Sequence, residues 1–208
     1  MKNLTLSIIF TIASFAAFSQ LHVGFRGGLS SSQVKINETV EGIKITTGDQ
    51  NYGYHLGFFS QIIIKKKFVI MPELLFTSTG GQINLSNGTN LGEIWNLKYN
   101  RLDIPLNFGV KFLKIMRINA GPYAGFLLGA NANSGNIEQN VTENYKNVVW
   151  GYQAGIGVDI WRILVDLKYE GSFETYHNNN VNVPGKELTY SPDTRPNQWI
   201  LSVGFRLF

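Results

Sequence analysis

The chain has 208 residues, no cysteine, a net charge of +4, 22 glycines, 13% aromatic residues and only 15% charged ones. Absence of cysteine excludes a small disulfide-held scaffold, and a modest charge without a basic, aromatic-interleaved stripe speaks against a nucleic-acid partner. Few charges beside many aromatics suit a protein solvated in part by lipid, and the length allows one domain.

Residues 1–19 read as a secretory signal peptide. Met1-Lys2-Asn3 is a basic start, residues 4–18 are almost wholly apolar, and Ala17-Phe18-Ser19 has the small-x-small form of a cleavage site. The stretch is shorter than the roughly 20 residues a spanning helix needs, and no later apolar run approaches that length. Residues 20–208 are therefore expected to form one domain, and any membrane crossing must be made by strands.

Eight segments then alternate with the period of two that a strand imposes on its side chains. Segment one, 21–30, sets Leu21, Val23, Phe25 and Leu29 against His22, Arg26 and Gly28. Segment two, 52–63, sets Tyr52, Tyr54, Leu56, Phe58 and Ile62 against Gly53, His55, Gly57 and Gln61. Segment three, 68–79, opposes Phe68, Ile70, Leu74 and Phe76 to Glu73, Thr77 and Thr79. Segment four, 97–110, changes phase: Leu97 and Tyr99 are odd, while Leu102, Ile104, Leu106 and Phe108 are even. A one-residue bulge near Asn100-Arg101 would restore its register. Segment five, 117–130, and segment six, 150–160, place Asn119, Gly121, Tyr123, Gln153, Gly155 and Asp159 on one face. Segment seven is the clearest, with Ile163, Val165, Leu167 and Tyr169 alternating with Asp166, Lys168 and Glu170. Segment eight, 198–208, sets Trp199, Leu201, Val203, Phe205 and Leu207 against Ser202, Gly204 and Arg206.

The connections sort by length. Those at 31–51, 80–96, 131–149 and 171–197 are long, whereas those at 64–67, 111–116 and 161–162 are tight. Strict alternation of long and short is the plan of a transmembrane barrel with external loops and short periplasmic turns. The fold class expected is all-β: an eight-stranded antiparallel up-and-down transmembrane barrel. Tyr52, Tyr54, Trp150 and Tyr152 at the long-loop ends, with Phe68, Trp161 and Phe208 near the turns, would form the aromatic girdles. Pro72, Pro105 and Pro122 oppose this plan, since a closed barrel has no edge to host them; they are expected at bulges or at strand ends.

The inward parity collects charges: Arg26, His55, Glu73, Asp103, Arg117, Asp159, Asp166, Lys168, Glu170 and Arg206. Eight strands enclose a space that side chains just fill. These residues are expected to form an ion-paired plug, with Arg26, Arg206 and Lys168 as cations for Glu73, Asp103, Asp159, Asp166 and Glu170. No catalytic, cofactor or metal constellation stands out. His55 with Ser60 or Glu73 is the nearest approach to a hydrolase, and Gly151-Tyr152-Gln153-Ala154-Gly155 lacks the following helix that phosphate binding requires.

Four motifs resemble the PorT-like outer-membrane barrels of Bacteroidota. Pro72-Glu73-Leu74-Leu75-Phe76 is similar to that family's third strand, Leu102-Asp103-Ile104-Pro105-Leu106 to its fourth, Ala120-Gly121-Pro122-Tyr123 to its fifth and Gly155-Ile156-Gly157-Val158-Asp159 to its sixth. The resemblance implies an outer-membrane location and prolines tolerated at these places. One departure is the end of the chain, where Arg206 and Gly204 share the phase of Phe208 in place of apolar residues. The functional expectation is a non-enzymatic barrel acting in envelope structure, surface binding or secretion through its loops. Its expected partners are outer-membrane lipid and lipopolysaccharide, the barrel-assembly machinery and an unknown loop ligand; no cofactor is expected. Alternatives are a narrow porin-like channel and a soluble lipocalin-like barrel of opposite polarity.

Overall fold

A computed structural model describes residues 19–34, 37–40, 43–47, 49–86, 93–134, 137–140, 142, 147–173, 181–182, 189–190 and 196–207. Residues 1–18 of the signal-peptide segment, His177 and Phe208 lie outside these residues. Eight long strands carry the fold: β1 (Ser19–Val34), β2 (Asn51–Ile64), β3 (Phe68–Ser86) and β4 (Glu93–Phe112), then β5 (Met116–Ser134), β6 (Val148–Ile160), β7 (Ile163–Ser172) and β8 (Pro196–Arg206). Each pairs antiparallel with its sequence neighbour, and β1 pairs with β8 from Gly24↔Arg206 to Val34↔Pro196, closing the sheet into a barrel.

Connections at the two ends differ as the spacing requires. Tight turns at Lys65–Lys67, Leu113–Ile115 and Trp161–Arg162 join β2 to β3, β4 to β5 and β6 to β7. The opposite end is built up further by strand. Asn37–Val40 and Ile43–Thr47 form a hairpin that pairs onto β3, and Ile137–Asn140 pairs onto β5. β3, β4 and β5 are 19, 20 and 19 residues long, well past the segments anticipated for them.

The wall is apolar outward and mostly polar inward. Leu29, Leu56, Phe58, Ile118, Leu128, Ile156, Leu201 and Val203 are each more than half exposed, while Arg26, Asp166, Lys168 and Glu170 are buried. Ile163, Val165 and Leu167 face outward and Asp166 and Lys168 inward, so the barrel is inside out relative to a soluble ligand carrier.

Two expectations about the wall need correction. First, β4 keeps one phase throughout: Trp95, Leu97, Tyr99, Arg101 and Asp103 are all buried. The register does shift opposite Asn100/Arg101, where Asn100 pairs with Gly129 but Arg101 with Leu127. The extra residue is thus Leu128 on β5. Leu97 and Tyr99 are apolar because the lumen itself is apolar at that height, where they cluster with Trp95, Ala130, Ala132 and Val149.

Second, the prolines sit at neither bulges nor strand ends. The ladder runs in one register through Pro72 (Phe59↔Glu73, then Ile62↔Ile70), through Pro105 (Pro72↔Leu106, then Leu75↔Asp103) and through Pro122 (Pro105↔Tyr123, then Phe108↔Ala120). Each proline pairs with the following strand, as Pro72↔Leu106, Pro105↔Tyr123 and Pro122↔Tyr152. Its missing N–H faces the preceding strand, so the loss is confined to one bond and needs no added residue.

Candidate functional site

β1, β3, β6 and β7 bring the inward charges together because their side-chain period turns every second residue to the axis. Arg26 of β1 donates from Nη1 to Glu73 of β3, and from Nη2 to Asp166 Oδ2 of β7 at 2.5 Å. Lys168 Nζ donates to Glu73 Oε1 at 2.7 Å. Arg117 of β5 bridges Asp166 and Asp159. Lys111 and Arg206 reach Asp159 Oδ2 at 2.7 and 2.8 Å from the turn end. Charges held away from water are tolerable when paired, and each of these has an oppositely charged partner.

Neutral amides add to the anions' coordination, although the buried Glu73 Oε2 accepts no hydrogen bond. Asn119 Nδ2 donates to Asp166 Oδ1 at 3.2 Å, Asn107 Nδ2 to Glu73 Oε1 at 3.2 Å, and Gln61 Nε2 to Asp159 Oδ2 at 3.1 Å. Glu170 accepts from Gln153 and Gln198, both at 2.6 Å.

The structure brings all eight of the principal candidates into the lumen, although the pairing differs from the one expected. Asp103 and Glu170 are served by Arg101, at 2.9 and 3.1 Å, rather than by Arg26, Lys168 or Arg206. Arg101 and Lys111 were missed. Arg101 shares odd parity with Asp103, but the bulge expected at Asn100-Arg101 leaves it without an assigned face. Lys111 and Arg206 are the least enclosed members, their side chains 13% and 12% exposed at the mouth.

The apolar share of the lumen was also missed. Phe59, Ile63, Val69, Met71 and Leu164 form a buried cluster toward the turn end. The Phe59 ring lies 5.0 Å from the Arg26 guanidinium carbon. Glycine makes room for it: a Cβ on Gly24 would come within 2.8 Å of Phe59 Cε1, and one on Gly204 within 3.1 Å.

Little in this arrangement serves bond chemistry. His55 Nε2 meets Ser202 Oγ at 3.0 Å inside the closed lumen, and Ser60 lies on the opposite face of the wall. Beside His55, Ser30 and Asp103 is a cavity of about 10 Å³, room for a single water. Among the described residues no group of three or more His, Cys, Asp and Glu could hold a metal, and no helix is long and apolar enough to cross a membrane.

Comparison with known proteins adds a family. The profile described as outer membrane protein beta-barrel domain matches residues 14–178. No curated protein matches the chain. Among solved structures, Neisserial surface protein A is similar, with a TM-score of 0.58 at 7% identity over 91% of this chain and 99% of that one. Ail, the attachment invasion locus protein of Yersinia pestis, was solved in complex with the heparin analogue sucrose octasulfate. It aligns at 14% identity and a TM-score of 0.48 over 90% of this chain and 99% of its own. OprG from Pseudomonas aeruginosa aligns at 12% identity and 0.42, over 91% and 95%. At these identities the likeness concerns fold alone.

Proposed function

Because the chain belongs to the outer membrane protein beta-barrel domain family, and so sits in the bacterial outer membrane, we propose that it is a non-enzymatic barrel with a closed lumen that acts through its external surface. The observation that carries this reading is the filled axis. Arg26, Glu73, Arg117, Asp166 and Lys168 link strands across the interior, with apolar clusters toward both ends. A solute path would have to break several of these pairs at once.

Strand length supports the second half. A membrane strand needs about 9–11 residues. β7 and β8 have 10 and 11, whereas β3, β4 and β5 have 19 or 20. The surplus rises on the long-loop side as a sheet widened by Ile43–Thr47 and Ile137–Asn140, a surface suited to envelope contacts, an adhesive ligand or a secretion-associated partner. Lipopolysaccharide would surround that side, and the barrel-assembly machinery would insert the chain after loss of residues 1–19. Kinship with PorT-like barrels of Bacteroidota is the finer placement; its support is the proline-bearing motifs around Pro72, Pro105 and Pro122, each of which opens the ladder in the same direction.

Refolded protein in planar bilayers is expected to give no resolved conductance steps. Steady porin-like steps from the unaltered chain would overturn the closed lumen in favour of a narrow channel. Lipid contact has its own test. Leu201, 52% exposed and paired with Leu29 and Leu167 midway along β8, faces the bilayer. Leu201→Arg is expected to cost about 2–4 kcal/mol in vesicles, as a lowered denaturant midpoint.

A further inference from the structure

The charges of this protein are sorted along its axis. The four long connections contain nine acidic and five basic residues by sequence. The other five acids, Glu73, Asp103, Asp159, Asp166 and Glu170, are buried in the lumen. At the turn end, Lys65, Lys66, Lys67, Lys114 and Arg162 are exposed, and among the described residues no exposed acid accompanies them. Among the described residues, the exposed charges on the side that faces the periplasm are therefore all cationic.

Apolar side chains stand among these cations. Leu113 is 75% exposed, Trp161 78% and Ile115 48%, and the Arg162 guanidinium lies 5.3 Å from the Trp161 ring centre. They continue the outward apolar belt formed by Phe68, Phe112, Ile118, Ile160 and Ile163. A soluble partner would leave such a rim half in lipid, whereas a lipid headgroup region matches both its apolar and its cationic parts.

The backbone supplies an independent observation. Lys65, Lys66, Leu113, Lys114 and Trp161 all have positive φ, between 50° and 61°. Tight hairpin turns place Gly, Asn or Asp at such positions, because a Cβ there is disfavoured. All three turns of this barrel instead carry lysine, leucine or tryptophan where glycine would relieve the strain. Strain retained at the same kind of position three times points to side chains selected for what they touch.

We infer that the periplasmic rim is a binding surface for anionic phospholipid of the inner leaflet: Lys65, Lys66, Lys67, Lys114 and Arg162 hold the phosphate-bearing headgroups while Leu113, Ile115 and Trp161 enter the acyl boundary. Electrostatic attraction of a lysine or arginine to an anionic leaflet acts within a Debye length, so cations fixed at the turn tips are well placed for it. The inference uses the membrane location and stands whether or not the lumen conducts.

The test is lipid retention by full-length protein refolded in vesicles of equal phosphatidylglycerol and phosphatidylcholine, then extracted in mild detergent and weighed by native mass spectrometry. The unaltered protein should retain phosphatidylglycerol over phosphatidylcholine by on the order of fivefold. A variant combining Lys65→Asn, Lys66→Gly, Lys114→Gly and Arg162→Asn should lose that preference. Since the three lysine substitutions favour their turns and Arg162 is exposed, heat-modifiable migration should persist and report a folded barrel. No preference in the unaltered chain, or the same preference in the folded variant, would overturn the inference. If soluble polyglutamate displaces the bound lipid completely, an acidic periplasmic protein becomes the better occupant and the lipid assignment falls.

Discussion

Asp166→Ala is expected to destabilise the folded barrel in lipid vesicles by about 3–5 kcal/mol, the cost typical of breaking a buried ion pair. Asp166 accepts from Arg26 and Arg117, and the side chains of all three are fully enclosed. Asn119 donates to it as well. Removing the carboxylate leaves two guanidinium groups facing each other without an anion between them. Equilibrium unfolding should give a lower midpoint with an unchanged slope. Asp166→Asn keeps the shape and one acceptor oxygen, and should recover part of the loss. A shift below about 1 kcal/mol would mean that water screens the pair as it does at a surface.

The second large effect belongs to an apolar residue. Phe59→Ala is expected to cost about 3–5 kcal/mol, since the ring is 2% exposed and packs with Ile63, Val69, Met71 and Leu164. It also removes the ring that lies against Arg26. The cavity left behind borders Gly24 and Gly204. A Cβ at Gly204 would stand 3.1 Å from the ring that Phe59→Ala deletes. Adding Gly204→Ala should therefore recover some stability, so that the double variant is less damaged than the sum of the single ones. Strict additivity would show that the ring does not occupy the space between those glycines.

These two residues differ in how far the sequence discloses them. The charge at Asp166 announces itself, because 163–170 alternates without fault and an acid in the inward phase of a membrane strand has to be paired. Phe59 does not. It shares its phase with His55 and Gln61, yet its apolarity looks like noise in the alternation unless the interior is known to pack like a protein core near its ends. The same blindness misplaced the irregularity on β4. Because Leu97 and Tyr99 are apolar, the pattern places them outward and needs a bulge on their own strand to do so. In the structure they point inward, and the extra residue is Leu128 across the ladder. Alternation thus identifies faces reliably only where the two faces differ in polarity.

Pairing was less legible still. Which cation serves Glu170 depends on the stagger between β4 and β7, and the separation of Arg101 from Glu170 by 69 residues carries no local signal. The loops, by contrast, were partly visible. Their Asn-, Gly- and Thr-rich character marked them as external, but it concealed that 37–40, 43–47 and 137–140 continue as strand. Main-chain hydrogen bonding onto β3 and β5 decides those segments, and composition does not record it.

The contact from Arg26 to Asp166 spans 140 positions of the chain, and that from Glu73 to Lys168 spans 95. A nascent barrel holding only its first half can pair Arg26 with Glu73 and Arg101 with Asp103, but it lacks the partners that complete the network across the interior. The arrival of the seventh strand supplies Asp166, Lys168 and Glu170 together, late and cooperatively, as expected where distant segments must meet. Completion of the pore filling and completion of the wall become the same kinetic event. Chains stalled before that strand should remain engaged with whatever machinery shelters them.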